Sequence, residues 1–401
     1  MDGRESVTKR RIAIFTGNRA EYGLQFPILR AIAADPRLEY FLIAGGSHTN
    51  QDFGRTLAEI EADGFRVYRQ LDMDLDKDTL FTTAQGIGSG ILSLSRILEE
   101  LRPDFLVVYG DRFESFSAAI TGTQMNVPTV HVEGGDYTEG GALDDSVRHA
   151  MTKLSHLHFT TNEHAAERVR RLGEEPWRVF NVGFPTLDLV AAGMFATPEE
   201  LACELHLDLT HPVILFCQHS VTTESEQAGE QVVPALEALA RLSEKGYQSI
   251  VTYPNSDAGG RRIIEEILKL EARRLPGIQV VKSLGRRRFH GVLNIIGRVS
   301  GGAFVGNSSA GIKETPVFGC PCVNVGARQQ GRLRADNVLD VNYDADAIMS
   351  AIERCAMDTA FREQCATCVN PYGAGNAGPR IAEVLATVPT GLPLVQKKMT
   401  Y

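Results

Sequence analysis

At 401 residues the chain is long enough for two domains. With 43% apolar and 23% charged residues it has the composition of an ordinary folded protein. Lys and Arg total 41 against 50 Asp and Glu, a net charge of −9, which argues against a general nucleic-acid partner, because that needs a basic surface; an anionic small ligand needs only a local basic pocket. No apolar run of ~18 residues is present to cross a membrane, the polar stretch 1–11 has no leader-like apolar core, and the seven cysteines are an odd number spread through a large chain. A cytoplasmic protein is expected.

In chain order, residues 11–16 form the first short apolar run, the mark of a strand covered on both faces. Further runs follow at 41–44, 105–109, 129–132 and 158–160, and a second set at 179–182, 213–216, 249–253, 278–281, 303–305 and 322–325. Helical patterns lie between them at 57–63, 91–101, 145–156, 232–245 and 262–272. Strand and helix alternating at this spacing predict an α/β fold of two Rossmann-like domains, each doubly wound. The polar helical stretch 197–209 separates the two sets and puts the boundary near residue 190. The expected division is 1–190, 191–372, and a C-terminal helix and tail at 373–401 that can pack back on the first domain. Two such halves would face each other across a cleft.

Ligands of doubly wound sheets bind outside the carboxyl ends of the strands, so the residues after each strand are the ones to inspect. The first run leads into Gly17-Asn18-Arg19-Ala20-Glu21-Tyr22, and the run at 105–109 into Gly110-Asp111-Arg112. The run at 129–132 leads into Glu133-Gly134-Gly135-Asp136. In the second half, Gln218-His219-Ser220 follows 213–216, and Gly306-Asn307-Ser308-Ser309-Ala310-Gly311 follows 303–305. Ser308 and Ser309 open a predicted helix, where hydroxyls, free amides and the helix dipole suit an anion; an ordinary serine cap explains them equally well. His219 is a candidate phosphate donor or general acid. Arg19 and Arg112 can neutralise phosphates or form salt bridges at a domain edge. Asp111 and Glu133 follow separate buried strands, so their carboxylates can converge and divide acid and base work. Asp144 and Asp145 start a helix, with Arg148 one turn beyond Asp144, and a capping role would suffice for Asp144.

Other features carry less. Gly86-Ile87-Gly88-Ser89-Gly90 follows no strand, and Gly373-Ala374-Gly375-Asn376-Ala377-Gly378 lacks a preceding strand and a βαβ unit, so neither supports a dinucleotide site. Cys365-Ala366-Thr367-Cys368 has no partners at zinc spacing, and no metal site is expected. Arg286-Arg287-Arg288 reads as a solvated loop.

Asn18-Arg19-Ala20-Glu21-Tyr22, Gly110-Asp111-Arg112-Phe113 and His131-Val132-Glu133-Gly134-Gly135 together resemble the hydrolysing UDP-N-acetylglucosamine 2-epimerases. So do Asp144-Asp145-Ser146-Val147-Arg148-His149-Ala150, Gln218-His219-Ser220-Val221-Thr222-Thr223 and Tyr253-Pro254-Asn255-Ser256-Asp257. Gly306-Asn307-Ser308-Ser309 with Glu314, Ala327-Arg328-Gln329-Gln330-Gly331-Arg332 and Tyr372-Gly373-Ala374-Gly375-Asn376 complete the series in family order. The resemblance implies the paired Rossmann-like arrangement called GT-B. It implies hydrolysis of UDP-N-acetylglucosamine, or of its 2,4-diacetamido-2,4,6-trideoxy analogue, to the free 2-epimeric sugar and UDP, as in sialic or legionaminic acid synthesis. Carried over by position, Asp111, Glu133 and Asp144 match the acid/base carboxylates, and Arg19, Arg112, His219, Ser308 and Ser309 the diphosphate contacts. Glu314 matches the ribose carboxylate, and Arg148 and Arg328 supporting arginines of the site. Asp136 stands where the family usually has Glu, and Tyr137-Thr138-Glu139 lengthens the loop that follows.

The C2 proton of such a sugar is not acidic, so the reading is elimination of UDP across C1–C2 to a glycal, followed by rehydration, without nicotinamide or another cofactor. The expected partners are the UDP-sugar and further copies of the chain, as a homodimer or homotetramer. A non-hydrolysing epimerase, a GT-B glycosyltransferase and a non-catalytic nucleotide-sugar sensor are the alternatives. The last two leave the paired carboxylates unexplained.

Overall fold

The computed structural model describes residues 9–49, 56–73, 79–137, 142–255 and 259–401; most of the polar N-terminal stretch falls outside them. The described chain divides into two compact units. The first comprises 1–136, 143–188 and 375–401, and the second 137–142 and 189–374.

The first unit is built on a seven-stranded parallel sheet. In chain order its strands are β1 (Arg10–Thr16), β2 (Leu38–Gly45), β3 (Val67–Leu71), β4 (Phe105–Tyr109), β5 (Thr129–Val132), β6 (Leu157–Thr160) and β7 (Val179–Asn181). Their spatial order is β3-β2-β1-β4-β5-β6-β7. The chain winds outward from β1 in one direction and from β4 in the other, so the winding reverses between β1 and β4. Ala13, Phe15, Ile43, Leu106 and Val108 pack on one face with Leu94 and Leu98 of the helix Leu80–Leu101. Their neighbours Ile12, Ile14, Leu42 and Val107 are buried on the other face, as the period-two alternation of a strand requires.

The second unit holds a six-stranded parallel sheet of β8 (Val213–Cys217), β9 (Gln248–Thr252), β10 (Ile278–Val281), β11 (Gly302–Gly306), β12 (Cys322–Val325) and β13 (Val338–Val341), in the order β10-β9-β8-β11-β12-β13. Here the winding reverses between β8 and β11. Ile214 and Phe216 pack with Val232, Leu236 and Leu239, while Val213 and Leu215 pack with Val292, Leu293 and Ile296 on the opposite face. Both units are therefore α/β sandwiches with each sheet covered on both sides, the fold class read from the sequence.

All eleven predicted runs are strands. The two strands without a sequence signal, β3 (VYRQL) and β13 (VLDV), are the outer strands of their sheets, where half-exposed positions admit Arg69, Gln70 and Asp340 and no continuous apolar run is needed. The stretch expected to separate the domains belongs to the second unit: its helix Pro198–Glu204 starts with a capping box of Thr197 and Glu200, and Leu201, Leu205 and Leu207 enter that unit's core. The glycines at 86–90 lie inside the helix Leu80–Leu101, where a Cβ on Gly90 would meet Ser117 Oγ at 2.7 Å. Close packing against the helix Phe113–Gln124 is thus the reason for that residue. Arg286, Arg287 and Arg288 form the first turn of the helix Gly285–Arg298, with Arg287 paired to Glu200 and Arg288 to Glu204, a correction to the solvated loop.

The C-terminal helix Ala377–Thr387 packs in the first unit against the helix Arg19–Ala34. Its first amides, which have no partner within the helix, are capped from far along the chain: Ala377 N and Gly378 N donate to the two carboxylate oxygens of Asp188 at 2.8 and 2.7 Å. The tail beyond is fixed by buried Arg178, which donates to the carbonyls of Pro393 and Leu394 at 2.9 and 2.6 Å. Among the described residues no helix is long and apolar enough to cross a membrane.

Candidate active site

The residues singled out from the sequence fall into two groups, one per unit, each at the carboxyl edge of its sheet where the winding reverses, the position where such sheets bind ligands.

In the first unit, Asn18 caps the helix Arg19–Ala34 by accepting from Glu21 N at 2.9 Å, so Arg19 is the first helical residue. It is half exposed and paired with Glu59 at 2.5 Å. Arg112 occupies the cap position of the helix Phe113–Gln124 after β4, the neighbour of β1, with its Nε 3.4 Å from Glu114 Oε2. Two helix N-termini, each with an arginine, therefore follow adjacent strands. Behind them Glu21 is buried, its Oε1 accepting from Gly17 N, Gln25 Nε2 and Ser115 Oγ. Burial, and next the charge of Glu114, push its carboxyl up to about 8.

Asp111 and Arg148 form a buried ion pair through Arg148 Nη2 and Asp111 Oδ2. Burial by itself would push the guanidinium down, but Asp111, Asp136 and Glu133 outweigh it, and Arg148 stays charged. Its Nε and Nη1 are buried without a hydrogen-bond partner among the described residues. Glu133, nearly buried, follows β5 with a φ of +67°, in the left-handed region that side-chain-bearing residues seldom adopt. Its amide is anchored on Phe159 O at 2.8 Å. Strain of this kind is retained where the surroundings over-determine it, commonly at functional sites. The close approach explains the next two residues: a Cβ on Gly135 would collide with Ala165 O, and one on Gly134 would lie 2.9 Å from His131 Nδ1.

Two further side chains complete this group. His131 Nε2 bonds Gly110 O at 2.8 Å and Nδ1 bonds Thr152 Oγ1 at 3.1 Å. A carbonyl can only accept, so the ring proton is on Nε2, and Nδ1 faces the Thr152 hydroxyl, which also lies 3.1 Å from Arg148 O. Burial holds this ring neutral, with a pKa near 3, and it pins the Gly110-Asp111 turn. Tyr109, buried at the end of β4, has its phenol pushed well above the ordinary range by burial and by the charges of Glu133, Asp136 and Glu21. Neither stands out in the sequence as a site residue; the one legible signal is a polar residue inside an apolar run or at its end. Asp144 is not a cap. The helix is Ala142–Leu154, so Asp144 lies within its first turn, exposed and one turn before Arg148. Thr138 and Glu139 of the lengthened loop lie outside the described residues, as do Ser256 and Asp257.

In the second unit, His219 follows β8 and Asn307 follows β11. His219 Nδ1 accepts from Asn255 N at 3.0 Å, which leaves the ring proton on Nε2, 3.6 Å from Cys217 Sγ. Burial and then the charge of Arg328 lower its pKa to about 3. His219 is therefore a neutral N–H donor at physiological pH rather than an imidazolium acid. Arg328 donates to Asn307 O at 3.2 Å, and Gln329 to the same carbonyl at 2.8 Å. Ser309 caps the short helix Ala310–Lys313 by position, but its side chain makes no capping bond, and Ser308 Oγ lies 3.5 Å from Ala310 N. The plain serine-cap explanation thus fails for Ser309. Glu314, at the end of that helix, accepts from His290 Nε2 at 2.6 Å. The structure gathers His219, Ser308 and Arg328 around Asn307 and Cys217, a set of neutral donors with one strong cation that suits a phosphate group.

The family model described as UDP-N-acetylglucosamine 2-epimerase matches residues 30–386. A curated relative from Legionella pneumophila, named UDP-N,N'-diacetylbacillosamine 2-epimerase (hydrolyzing), is 32% identical over 395 residues, 98% of this chain and all of that protein. One from Campylobacter jejuni, named GDP/UDP-N,N'-diacetylbacillosamine 2-epimerase (hydrolyzing), is 32% identical over 86% of this chain and 88% of its own length. Among solved structures, the Neisseria meningitidis UDP-GlcNAc 2-epimerase bound to UDP-GlcNAc superposes with a TM-score of 0.77 at 18% identity, covering 94% of this chain and 99% of that one.

Proposed function

The chain belongs to the UDP-N-acetylglucosamine 2-epimerase family, and from that premise we propose its reaction and the division of labour among its residues. It is a hydrolysing 2-epimerase: a UDP-N-acetylhexosamine and water give the free 2-epimeric sugar and UDP. The substrate is UDP-N-acetylglucosamine or its 2,4-diacetamido-2,4,6-trideoxy analogue, and the names of the Legionella and Campylobacter relatives favour the second.

The observation that carries the mechanism is the carboxylate group around Arg148: Asp111 bonded to it, with Glu133 and Asp136 acting on its charge. In the first half-reaction a carboxylate of the set Asp111, Glu133 and Asp144 takes the C2 proton. The C1–O bond to UDP breaks, its electrons leave with the diphosphate, and a C1–C2 double bond forms. In the second, a carboxylic acid of the same set returns a proton to C2 from the opposite face while water adds its hydroxyl to C1 and gives its other proton to a carboxylate of the set. Arg148, held charged and with buried N–H groups to spare, keeps the carboxylates in place and stabilises the anionic forms. His219, Ser308, Ser309 and Arg328 bind the diphosphate, where charge develops as it leaves; Arg19 and Arg112 are anion-binding side chains of the first unit. Glu314 binds the ribose.

NMR of the purified protein with each nucleotide sugar in D₂O tests the reading. Free 2-epimeric sugar, UDP and deuterium at C2 are expected. A UDP-linked epimer as end product would move the chain to the non-hydrolysing branch, and retention of the C2 proton would exclude elimination.

A further inference from the structure

The helix Gly285–Arg298 buries a continuous stretch from His290 to Ile296 against the second sheet. Val292, Leu293, Ile295 and Ile296 are what such a stretch calls for; His290 is not. Its ring is 1% exposed and sits between Phe289 and Phe318, with centroids 6.3 and 5.8 Å away. Nδ1 is buried with no hydrogen-bond partner among the described residues, a cost that a leucine in the same place would not incur. What the ring gains is one contact, Nε2 donating to Glu314 Oε2 at 2.6 Å, and that carboxylate is itself largely buried. Glu314 lies between two short helical pieces, Ala310–Lys313 and Thr315–Phe318, so its backbone is fixed while its side-chain torsions need a separate restraint.

We propose that His290 is a positioning residue for Glu314: it fixes one carboxylate oxygen so that the other is presented to a ribose hydroxyl of the uridine diphosphate. The inference rests on the assignment of Glu314 to the ribose made above. A carboxylate free to rotate would bind the ribose only after paying the entropy of being ordered, whereas one already bonded through Oε2 does not. His290 therefore acts on affinity for a nucleotide with ribose hydroxyls, and not on the chemistry at C1 and C2.

The experiment is calorimetric binding of UDP and of 2′,3′-dideoxyuridine 5′-diphosphate to the full chain, with turnover measured beside it. The parent protein prefers UDP. In His290→Leu that preference falls about tenfold, as expected for one charge-assisted hydrogen bond partly lost, while affinity for the dideoxy nucleotide stays the same. KM for the nucleotide sugar rises by a similar factor with kcat within twofold, and His290→Gln, which keeps a donor, restores the preference. Should the leucine variant not fold, His290→Asn serves, being polar but too short to reach Glu314. A parallel loss of affinity for both nucleotides would show a merely structural role and overturn the proposal, as would an unchanged preference. If the parent protein itself does not distinguish the two nucleotides, the ribose assignment of Glu314 fails instead, and this inference with it.

Discussion

Asn307 clasps the backbone of His219 from both sides: His219 N donates to Asn307 Oδ1 at 2.7 Å, and Asn307 Nδ2 donates to His219 O at 2.8 Å. The two residues are 88 positions apart and follow β8 and β11, the strands between which the winding reverses. The clasp sets the direction of the imidazole, because the loop carrying it can no longer rotate. Asn307→Ala should therefore weaken UDP binding by about tenfold or more through loss of two hydrogen bonds, with a lower melting temperature. Calorimetry showing unchanged UDP affinity in a folded sample would detach His219 from the diphosphate.

Replacing Glu133 by Gln preserves shape and leaves the anchoring of its amide on Phe159 O intact. Turnover should drop by ~10²–10⁴, the usual worth of one acid/base group, with UDP affinity and melting temperature near those of the parent. Turnover within tenfold of the parent would remove Glu133 from the catalytic set.

Arg148→Lys keeps the charge that Asp111, Asp136 and Glu133 favour but loses the planar fork that grips Asp111. The variant should fold, and kcat should fall about 10²-fold because the carboxylate is displaced. Steady-state kinetics with kcat intact would show that the pair serves the fold alone.

Glu21 gives a signature between pH 4.5 and 8. Its carboxyl is raised from 4.5 to about 8, so between those values the folded state holds a proton that the unfolded state has released. Its stabilising contribution is complete below pH 4.5 and is lost as pH rises through 8. Glu21→Gln mimics the protonated form, and its stability relative to the parent should grow from near zero at pH 5 to about 2–4 kcal/mol at pH 8. Chemical denaturation at both pH values checks this; a difference independent of pH would mean that Glu21 is not held protonated.

On the acid side, His48 and His156 are lowered to about 4 by burial, and His131 and His219 to about 3. The unfolded chain takes up protons at these rings from about pH 6.5 downward while the folded chain does not, so stability should fall as pH drops from 6.5 toward 4.5. Each ring contributes up to about 1.4 kcal/mol per pH unit. His131→Asn should make the slope shallower, and an equally steep slope in that variant would exclude His131 as a contributor.

The sequence by itself determined the fold class and put forward the residues of the candidate site. A strand covered on both faces is mostly apolar, so eleven strands are visible as runs, and chemistry-bearing residues stand out because they follow those runs at the carboxyl ends, as Asp111, Glu133 and His219 do. Tertiary structure decided what depends on contacts between distant positions. The outer strands β3 and β13 have no run to read, because half their side chains face solvent. Asp188 caps a helix 189 residues away, an interaction no local pattern encodes. Whether His219 is an acid or a neutral donor depends on the amide of Asn255, the nearby charge of Arg328 and its burial. The cost of burying the Arg148 charge is outweighed by Asp111, Glu133 and Asp136, carboxylates that only the fold brings near it. Residue type and strand periodicity are local and therefore legible, whereas protonation, orientation and pairing are set by the field and packing of neighbours that only folding brings together.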